Sequence, residues 1–476
     1  ISGLLDLMGD NTMYHIPIDQ IAKELGCTYQ GPTDVYVQRV VFDSREVAQG
    51  DLFVAIRGQR VDGNRFLEQA IEAGAAAVVC NAAHAFSSER VGCVTAEDGQ
   101  AFIQELGKWC RSRFDGPVIA ITGSQGKTST KDLLAQVSRQ SHEVVVTKEN
   151  QNNELGMPLT LTRLDEKTEI LIVEMGMTGF GEIDFLCQIA HPTHAIITGI
   201  GLVHAEYLGS QQGIARAKTE LFRYLPESGA VALREKDRAL VTPYLDECKA
   251  NVIWCSDAAD GGAVTSENVV LAAEKSSFDC HMPDATFHVE LPFAGRHYVD
   301  NALLVTAVAR AIDISVSDIQ NGLGSAVSLS SSRMEMHPLA EDRLLINDCY
   351  NANPDSMIAT LDVLAGYKPR PTIACLGNMY ELGQYEVEGH AKVGRHLAER
   401  GIDWLICLGT LAEIIGENAI ACGMSPARVF YVDTNKQVAR VLEEYAPAES
   451  VILVKGSNSM KMVDVYQTIL KDERML

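Results

Sequence analysis

Two long stretches of the chain alternate apolar runs with helical patterns, and no other feature restricts the fold as strongly. Between about 115 and 329 the clearest runs are PVIAIT, EILIVEM, THAIITGI, GAVALR and NVIWC. From about 330 onwards a second series reads RLLIND, PTIACLG, DWLICLG, RVFYVD and SVILVKG. Because unbroken apolar strands suit parallel sheets that helices cover on both faces, the pattern predicts two α/β domains, the second doubly wound.

The N-terminal part of the chain predicts a smaller α/β domain. Its short β-rich pieces, VQRVVFDSR and GDLFVAI, precede one helical pattern, NRFLEQAIEAGAAAVV. A helix-like segment, DGQAFIQELGKWCRSRF, then leads to the first strongly apolar strand. Since 476 residues exceed what one hydrophobic core usually covers, we predict three domains, at 1–97, 98–329 and 330–476.

The charge balance excludes several classes of partner. Forty basic residues against 63 acidic ones give a formal net charge of −23, which would repel nucleic acid and anionic membrane surfaces but still allows a local basic pocket. No apolar run reaches the roughly 18 residues that span a bilayer, and the first residues lack the pattern of a signal peptide. The 12 cysteines are scattered without a C-x-x-C pair, which indicates reduced thiols. We expect a cytoplasmic, monomeric protein.

The stretch VIAITGSQGKTSTKDLL, Val118–Leu134, has the character of a phosphate-binding loop between a strand and a helix. Its glycines let backbone amides approach phosphate oxygens, Lys127 can reach the terminal phosphates, and the Thr128 hydroxyl can bind Mg²⁺. The spacing is unusual, because the common loop has a glycine where this chain has Ile121, and the nearest earlier glycine is Gly123. A glycine turn with a solvated lysine is the alternative interpretation.

Three further polar side chains follow apolar strands of the same predicted sheet. Glu174 ends one strand, His204 lies just past another, and Lys218 lies on a helix that begins near Ser210. Ligands bind at the carboxyl ends of parallel strands, so a carboxylate there can hold a metal ion. Taken singly, each residue is more often structural or solvated, and their combination with the loop is what favours a nucleotide and metal site.

Several motifs, in their order along the chain, resemble the Mur ligase family, the ATP-dependent amino-acid and peptide ligases of bacterial cell-wall synthesis. They are TGSQGKTST, VEMGM, GLVHAEYLGS with ARAKTELF, FAGRHYVDNAL, NDCYNANPDSM and LVKGSNSM. That family characteristically has the shortened TGxxGKT loop. YNANPDSM and QNNELGMPLTL resemble the branch that adds D-alanyl-D-alanine to UDP-N-acetylmuramoyl-tripeptide through an acyl phosphate. The resemblance implies an N-terminal UDP-sugar-binding domain, a P-loop-type ATP-binding central domain and a C-terminal Rossmann-like domain that binds the dipeptide.

The resemblance also implies roles for individual residues. The expected catalytic residues are Lys127, Lys218, His204 and Arg333, with Lys218 carried as a carbamate. The expected ligands of two Mg²⁺ ions are Thr128, Glu174, His204 and Lys218. The expected ATP contacts are Gly123, Ser124, Gln125, Gly126, Lys127, Thr128, Ser129 and Arg333, with Asn301 on the adenine and Asp348 on the ribose. The expected substrate contacts are Ser44, Arg45, Asp62, Gly63 and Asn64 for the UDP-sugar and Asn152 and Asn153 for the muramoyl peptide. Three further residues are expected to bind substrate: Tyr350, Asn351 and Asn353.

A few positions depart from the family pattern. They bear mainly on the residues that the resemblance assigns to dipeptide binding. The loop has Ser129 where threonine is common, Asn378 replaces an aspartate, Cys349 replaces a serine-like residue, and Asn458 stands where a basic residue is frequent.

The sequence argues against four alternative functions. A diaminopimelate- or lysine-adding Mur ligase would carry DYAHTP-like and DNPR-like stretches, and neither occurs in the chain. A folylpolyglutamate-synthase-like ligase would lack the DSREVAQGDLFVAI block, and a P-loop kinase or GTPase would leave that block and YNANP unexplained. A non-catalytic binding protein would be expected to have lost one of four residues that are all present: Lys127, Glu174, His204 and Lys218. Whether the third residue of the tripeptide is diaminopimelate or lysine stays open.

Overall fold

The computed structural model describes residues 13–58, 60–327 and 332–471. Its three sheets make it a mixed α/β protein, as predicted. Two compact units are distinguished within it: one comprises the residues up to 120 with 141–177 and 182–194, and the other comprises 121–140, 178–181 and the residues from 195 onwards. The boundaries at 97/98 and 329/330 stay a prediction. No helix in the described part of the chain is long and apolar enough to cross a membrane.

The N-terminal sheet has five strands in the order β1-β5-β4-β3-β2, parallel except for β1. The strands are β1 (Thr28–Gln30), β2 (Val40–Val41), β3 (Leu52–Val54), β4 (Ala77–Cys80) and β5 (Gly92–Thr95). The helices are α1 (Ile18–Glu24), α2 (Leu67–Glu72) and α3 (Gly99–Arg111), with 3-10 turns at Gly63–Phe66 and Ala82–His84.

One prediction for this sheet was wrong. The pattern NRFLEQAIEAGAAAVV was expected to be one helix, but α2 ends at Glu72 and the last residues form β4. Gly74 explains the break, because its φ of +108° lies in the region that favours glycine and ends helices. The segment DGQAFIQELGKWCRSRF forms α3 as predicted, and the Asp98 side chain caps it by accepting from the Ala101 amide at 2.7 Å.

The central sheet has nine strands in the order β14-β13-β12-β11-β10-β9-β6-β8-β7. The strands are β6 (Val118–Thr122), β7 (Val144–Val146), β8 (Ile170–Glu174), β9 (His194–Ile197), β10 (Ala230–Arg234), β11 (Asn251–Asp257), β12 (Val264–Leu271), β13 (Ser276–Met282) and β14 (Ala285–Leu291). The helices that belong to this part of the chain are α4 (Lys127–Ser138), α5 (Gly156–Leu161), α6 (Glu182–Ala190), α7 (Ala205–Leu208), α8 (Gln211–Lys218), α9 (Arg238–Val241), α10 (Arg296–Ala311) and α11 (Val316–Gly324).

All five apolar strands predicted here are present, but the antiparallel meander β12–β14 was not predicted. Its strands expose one face to solvent and carry many polar residues, so they lack the continuous apolar character that marks the buried parallel strands. Short strand β7 was also missed.

The C-terminal sheet has six strands in the order β15-β16-β20-β17-β18-β19, and only β15 is antiparallel to its neighbour. The strands are β15 (Glu335–Pro338), β16 (Leu344–Asn347), β17 (Thr372–Gly377), β18 (Trp404–Leu408), β19 (Val429–Val432) and β20 (Val451–Lys455). The helices are α12 (Pro354–Ala365), α13 (Glu386–Glu399), α14 (Thr410–Ala421), α15 (Asn435–Tyr445) and α16 (Val463–Lys471). Two apolar clusters cover the two faces of this sheet, which confirms the doubly wound prediction.

Candidate active site

The phosphate loop lies between β6 and α4 and is held by hydrogen bonds to the chain that follows β9. The Ser124 amide donates to the Gly199 carbonyl at 2.9 Å, and the Ser124 hydroxyl donates to the Gly201 carbonyl at 2.9 Å. The Thr198 hydroxyl donates to the Gln125 carbonyl. These bonds fix the loop at the N-terminus of α4, where backbone amides and the helix dipole favour an anion.

Two glycines of the loop lie where a side chain would collide. A Cβ on Gly123, whose φ is +150°, would lie 1.9 Å from the Thr198 hydroxyl oxygen. A Cβ on Gly126, whose φ is +76°, would lie 3.1 Å from the Asn301 side-chain oxygen. The bare backbone therefore forms a cradle of the kind that nucleotide phosphates need.

Lys127 and Lys218 lie in one electropositive region of this unit. The Lys127 ammonium donates to the Gly123 carbonyl at 2.8 Å. Lys218 is the last residue of α8 and is 3% exposed. Burial, and then the charge of Lys127, hold the pKa of Lys218 well below its usual range. Among the described residues no hydrogen bond or ion pair to the Lys218 amine is found.

His204 begins α7 with a left-handed backbone, φ +56°. Its Nδ1 lies 2.5 Å from Glu381 Oε2, although the two groups are not aligned as a good hydrogen bond. Burial lowers the pKa of His204, and the Glu381 carboxylate opposes that effect. Glu381 was missed in the sequence, where nothing near it in the chain indicated a partner for His204.

Asn301 and Asp348 both have partners within the protein. Asn301 is buried in α10, and its side-chain oxygen accepts from Arg234 Nη2 at 2.8 Å. Asp348 Oδ2 accepts from Lys455 Nζ at 2.5 Å and from the Thr360 hydroxyl at 2.9 Å. Arg234 was also missed, although its place at the end of the apolar run GAVALR was a usable signal.

Arg333 borders a cleft that also contacts the loop residue Ser129. The Arg333 guanidinium lies 3.8 Å from the centre of the Tyr350 ring, and its buried Nε has no hydrogen-bond partner among the described residues. Phe293 and Tyr298 stack with their ring centres 4.6 Å apart and line the same cleft. Burial, with the charge of Asp348 second, raises the pKa of Tyr298 to about 12, so its hydroxyl stays protonated.

Glu174 belongs to the other unit, at the end of β8, and is 1% exposed. Its Oε1 accepts from Asn152 Nδ2 at 2.8 Å, whereas its buried Oε2 has no hydrogen-bond partner among the described residues. A buried carboxylate oxygen without a donor fits a cation, which would satisfy it. Asn153 is exposed, and its side-chain oxygen caps the start of α5 by accepting from the Gly156 amide at 2.9 Å.

The predicted UDP-sugar residues lie on loops of the N-terminal sheet. Ser44 is buried and bonds to Gln69, whereas Arg45 is exposed and pairs with Asp43. Asp62 caps the 3-10 turn that includes Gly63 by accepting from the Asn64 amide at 2.9 Å. Asn64 in turn accepts from the Asn81 amide at 3.1 Å, so this turn is held in place.

The predicted residues after β16 lie at the carboxyl edge of the C-terminal sheet. The Tyr350 carbonyl accepts from Asn458 Nδ2 at 3.1 Å, and the Asn351 carbonyl accepts from Lys455 Nζ at 3.0 Å. Asn353 forms a capping box with Ser356 at the start of α12, which is a structural use of its side chain.

Known proteins resemble this chain over almost its whole length. Three family models match in succession: the Mur ligase family catalytic domain over 36–109, the Mur ligase middle domain over 121–309 and the Mur ligase glutamate ligase domain over 332–458. The UDP-N-acetylmuramoyl-tripeptide--D-alanyl-D-alanine ligase of Haemophilus influenzae is 32% identical over 95% of this chain and 98% of its own. The crystal structure of MurF from Acinetobacter baumannii has a TM-score of 0.81 at 26% identity, covering 96% of this chain and 99% of its own. The MurF ligase of Thermotoga maritima in complex with ADP has a TM-score of 0.77 at 25% identity, covering 93% of this chain and 99% of its own.

Proposed function

The chain belongs to the Mur ligase family, and on that premise we propose that it joins D-alanyl-D-alanine to UDP-N-acetylmuramoyl-tripeptide while converting ATP to ADP and phosphate. The product would be the UDP-linked pentapeptide precursor of peptidoglycan. The relative from Haemophilus influenzae carries the name of this reaction, and the match covers 98% of it. The ADP bound to the Thermotoga maritima relative supports the use of ATP.

The observation that carries the proposal is the state of Lys218 next to the phosphate loop. Lys218 is buried, and burial followed by the charge of Lys127 lowers its pKa, which favours the neutral amine more than in a solvated lysine. Such an amine can attack CO₂ and lose a proton to form a carbamate, which gives the site an anionic oxygen ligand. A P-loop kinase or GTPase has no need for such a residue, whereas a ligase of this family does.

The reaction needs two anions to be brought together. The terminal carboxylate of the tripeptide attacks the γ-phosphorus of ATP, the bond to the β-phosphate oxygen breaks, and ADP leaves with that electron pair. The loop amides and Lys127 would hold the phosphates, and Arg333 would reach them from its cleft beside Ser129. The amine of D-alanyl-D-alanine then attacks the acyl phosphate carbon, phosphate leaves, and the amine proton is lost.

The Thr128 hydroxyl and a carbamylated Lys218 would supply oxygen ligands, which Mg²⁺ prefers, and Mg²⁺ keeps several waters. Thr128, His204 and a carbamylated Lys218 would hold it in the unit that contains the loop. Glu174 remains a proposed ligand because of its unsatisfied buried oxygen. When bound, Mg²⁺ neutralises charge on the phosphates.

The remaining contacts belong to the same proposal. Ser44, Arg45, Asp62, Gly63 and Asn64 are proposed to contact the UDP-sugar, and Asn152 and Asn153 the muramoyl peptide. Asn301 is proposed to read the adenine and Asp348 the ribose, which would require Asp348 to share its carboxylate with Lys455. Tyr350, Asn351 and Asn353 are proposed to contact the dipeptide. We also propose that the enzyme acts as a monomer in the cytoplasm, where its free thiols stay reduced.

The test is phosphate release with defined substrates, checked by the mass of the product. UDP-N-acetylmuramoyl-tripeptide ending in diaminopimelate or in lysine is supplied with ATP, with D-alanyl-D-alanine present or omitted. We expect release and a pentapeptide product only with both substrates, and the preferred tripeptide identifies the third residue. Release without the dipeptide would indicate a kinase or an ATPase. Product formation from the UDP-dipeptide and a free amino acid, or from a folate and glutamate, would assign the chain to another branch and overturn the proposal.

A further inference from the structure

A seven-residue segment after β17, 379–385, packs on the short helix α7 that His204 begins. The Glu381 carboxylate lies 2.5 Å from His204 Nδ1. The Glu206 amide donates to the Glu381 carbonyl at 3.3 Å, and Gln384 Nε2 donates to the Gly209 carbonyl at 3.0 Å. The segment therefore holds both ends of α7, and it approaches the candidate metal ligand with a carboxylate.

The start of this segment is anchored in the C-terminal sheet. The Met379 amide donates to Nε2 of the buried His390 at 3.0 Å, and the Tyr380 amide donates to the Ser457 hydroxyl at 3.0 Å. The preceding Asn378 accepts from the Ala412 amide at 2.9 Å. A segment fixed in this way can hold Glu381 in one position against α7.

The backbone at Glu381 has a conformation that favours glycine. Its φ of +63° lies in the left-handed region, which a glycine adopts without strain and a glutamate does not. Gly383 also has a positive φ and lies close to Glu206, so the chain makes a tight turn against α7. Despite this backbone strain, residue 381 is a glutamate, and its carboxylate lies next to the imidazole of His204.

We propose that Glu381 is a positioning residue that orients the imidazole of His204 toward the metal-bound nucleotide. Although the two groups are not aligned as a good hydrogen bond, the negative charge of Glu381 beside Nδ1 favours a proton on that nitrogen and leaves the lone pair on Nε2, which is the state a metal ligand needs. Because Glu381 belongs to the last family segment and His204 to the middle one, docking of 379–385 on α7 prepares His204 for its role. The role in the reaction rests on the proposed function.

The test measures Mn²⁺ as a paramagnetic substitute for Mg²⁺. Mn²⁺ affinity is determined by electron paramagnetic resonance with saturating ADP in the full-length wild type, Glu381→Gly and Glu381→Gln. Glu381→Gly removes the carboxylate and relieves the backbone strain, so it is expected to fold. The control is Glu388→Gln, which makes the same chemical change to an exposed carboxylate that pairs with Arg395.

We expect Mn²⁺ affinity in Glu381→Gly to fall about 10- to 100-fold relative to Glu388→Gln, the range seen when partners of metal ligands are removed. ADP affinity without metal, measured by calorimetry, should be unchanged. A loss in Glu381→Gln as well assigns the effect to the charge, and a loss in Glu381→Gly alone assigns it to the accepting oxygen; both support the proposal. Mn²⁺ affinity within twofold of the control in both variants, or an equal loss of metal-free ADP affinity, would overturn it.

Failure of this inference is distinguishable from failure of the proposed function. If the wild type releases no phosphate with its two substrates while Mn²⁺ affinity still depends on Glu381, the ligase assignment fails and the positioning role stands. If the wild type is an active ligase and Mn²⁺ affinity is independent of Glu381, only the positioning role fails.

Discussion

Replacing Gly123 by alanine tests the central claim that the phosphate loop is shaped by close backbone packing. The new Cβ would lie 1.9 Å from the Thr198 hydroxyl oxygen and 2.9 Å from the Thr198 amide nitrogen. Neither atom can move freely, because that hydroxyl donates to the Gln125 carbonyl and that amide donates to the Thr122 carbonyl at 2.9 Å. The loop itself must therefore shift.

Two contributions determine the loss of folding stability expected for Gly123→Ala. A non-glycine residue at the φ of +150° found at Gly123 costs about 1–3 kcal/mol. Losing the hydrogen bond from Thr198 to the loop costs about 1 kcal/mol. We expect Gly123→Ala to lower the free energy of unfolding by about 2–4 kcal/mol. ADP affinity should fall at least tenfold, or about 1.4 kcal/mol, because the displaced loop no longer directs its amides at the phosphates.

Urea unfolding and calorimetric titration with ADP measure the two effects. The matched control is Gly261→Ala, since Gly261 has a φ of +79° but no atom within 4 Å of an added Cβ, so it reports backbone strain alone. Thr198→Ala in the Gly123→Ala background removes the closest contact and should recover part of the ADP affinity. The reasoning is refuted if Gly123→Ala matches Gly261→Ala in stability and binds ADP within threefold of the wild type.

Three further changes have definite expected results. Lys218→Met should abolish phosphate release yet raise the free energy of unfolding near pH 7 without CO₂, because the lowered pKa of Lys218 means that the folded state binds its proton more weakly than the unfolded state does. Chemical denaturation should show this gain in stability shrinking as pH rises toward the unfolded pKa of about 10.4. Glu174→Gln should weaken Mn²⁺ binding with little loss of stability, and unchanged metal affinity would remove Glu174 from the metal site. Burial lowers the pKa of His390, whose Nε2 accepts from the Met379 amide, so the folded state binds fewer protons than the unfolded state below about pH 6.5 and loses stability on acidification. His390→Gln should reduce that slope between pH 7 and 5, by at most about 1.4 kcal/mol per pH unit, and an unchanged slope would contradict the assignment.

Parts of the fold with a strong local signal were predictable from the sequence. Strands such as β8 and β17 are buried along their whole length, and apart from Glu174 at the end of β8 and Thr372 at the start of β17 their residues are apolar or small, so the run is easy to recognise. The meander β12–β14 gives no such signal, because its half-exposed strands mix polar and apolar residues. The helix predicted through Gly74 failed for the opposite reason: the apolar pattern continued, but the backbone turned at the glycine.

The residues of the candidate site also differ in whether the local sequence predicts them. Gly123, Lys127 and Thr128 are neighbours in the chain, and the roles proposed for them were predicted from the order of residues between a strand and a helix. Glu381 reaches His204 only because 379–385 turns with positive φ values and docks on α7. The helix cap formed by the Asn353 side chain was also missed, although Asn followed by Pro354 is a local signal for the start of a helix.

The sequence by itself determined the α/β class, the loop chemistry and the family of this protein, because these depend on residue types at short, regular spacings. Only the tertiary structure decided which buried polar side chains have hydrogen-bond or ion-pair partners and which have none. Nothing in the sequence distinguishes Lys218 from a solvated lysine, whereas in the folded protein burial and the charge of Lys127 lower its pKa. Burial, pairing and strain depend on residues that are distant in sequence, so their effects on charge and reactivity arise only once the chain is folded.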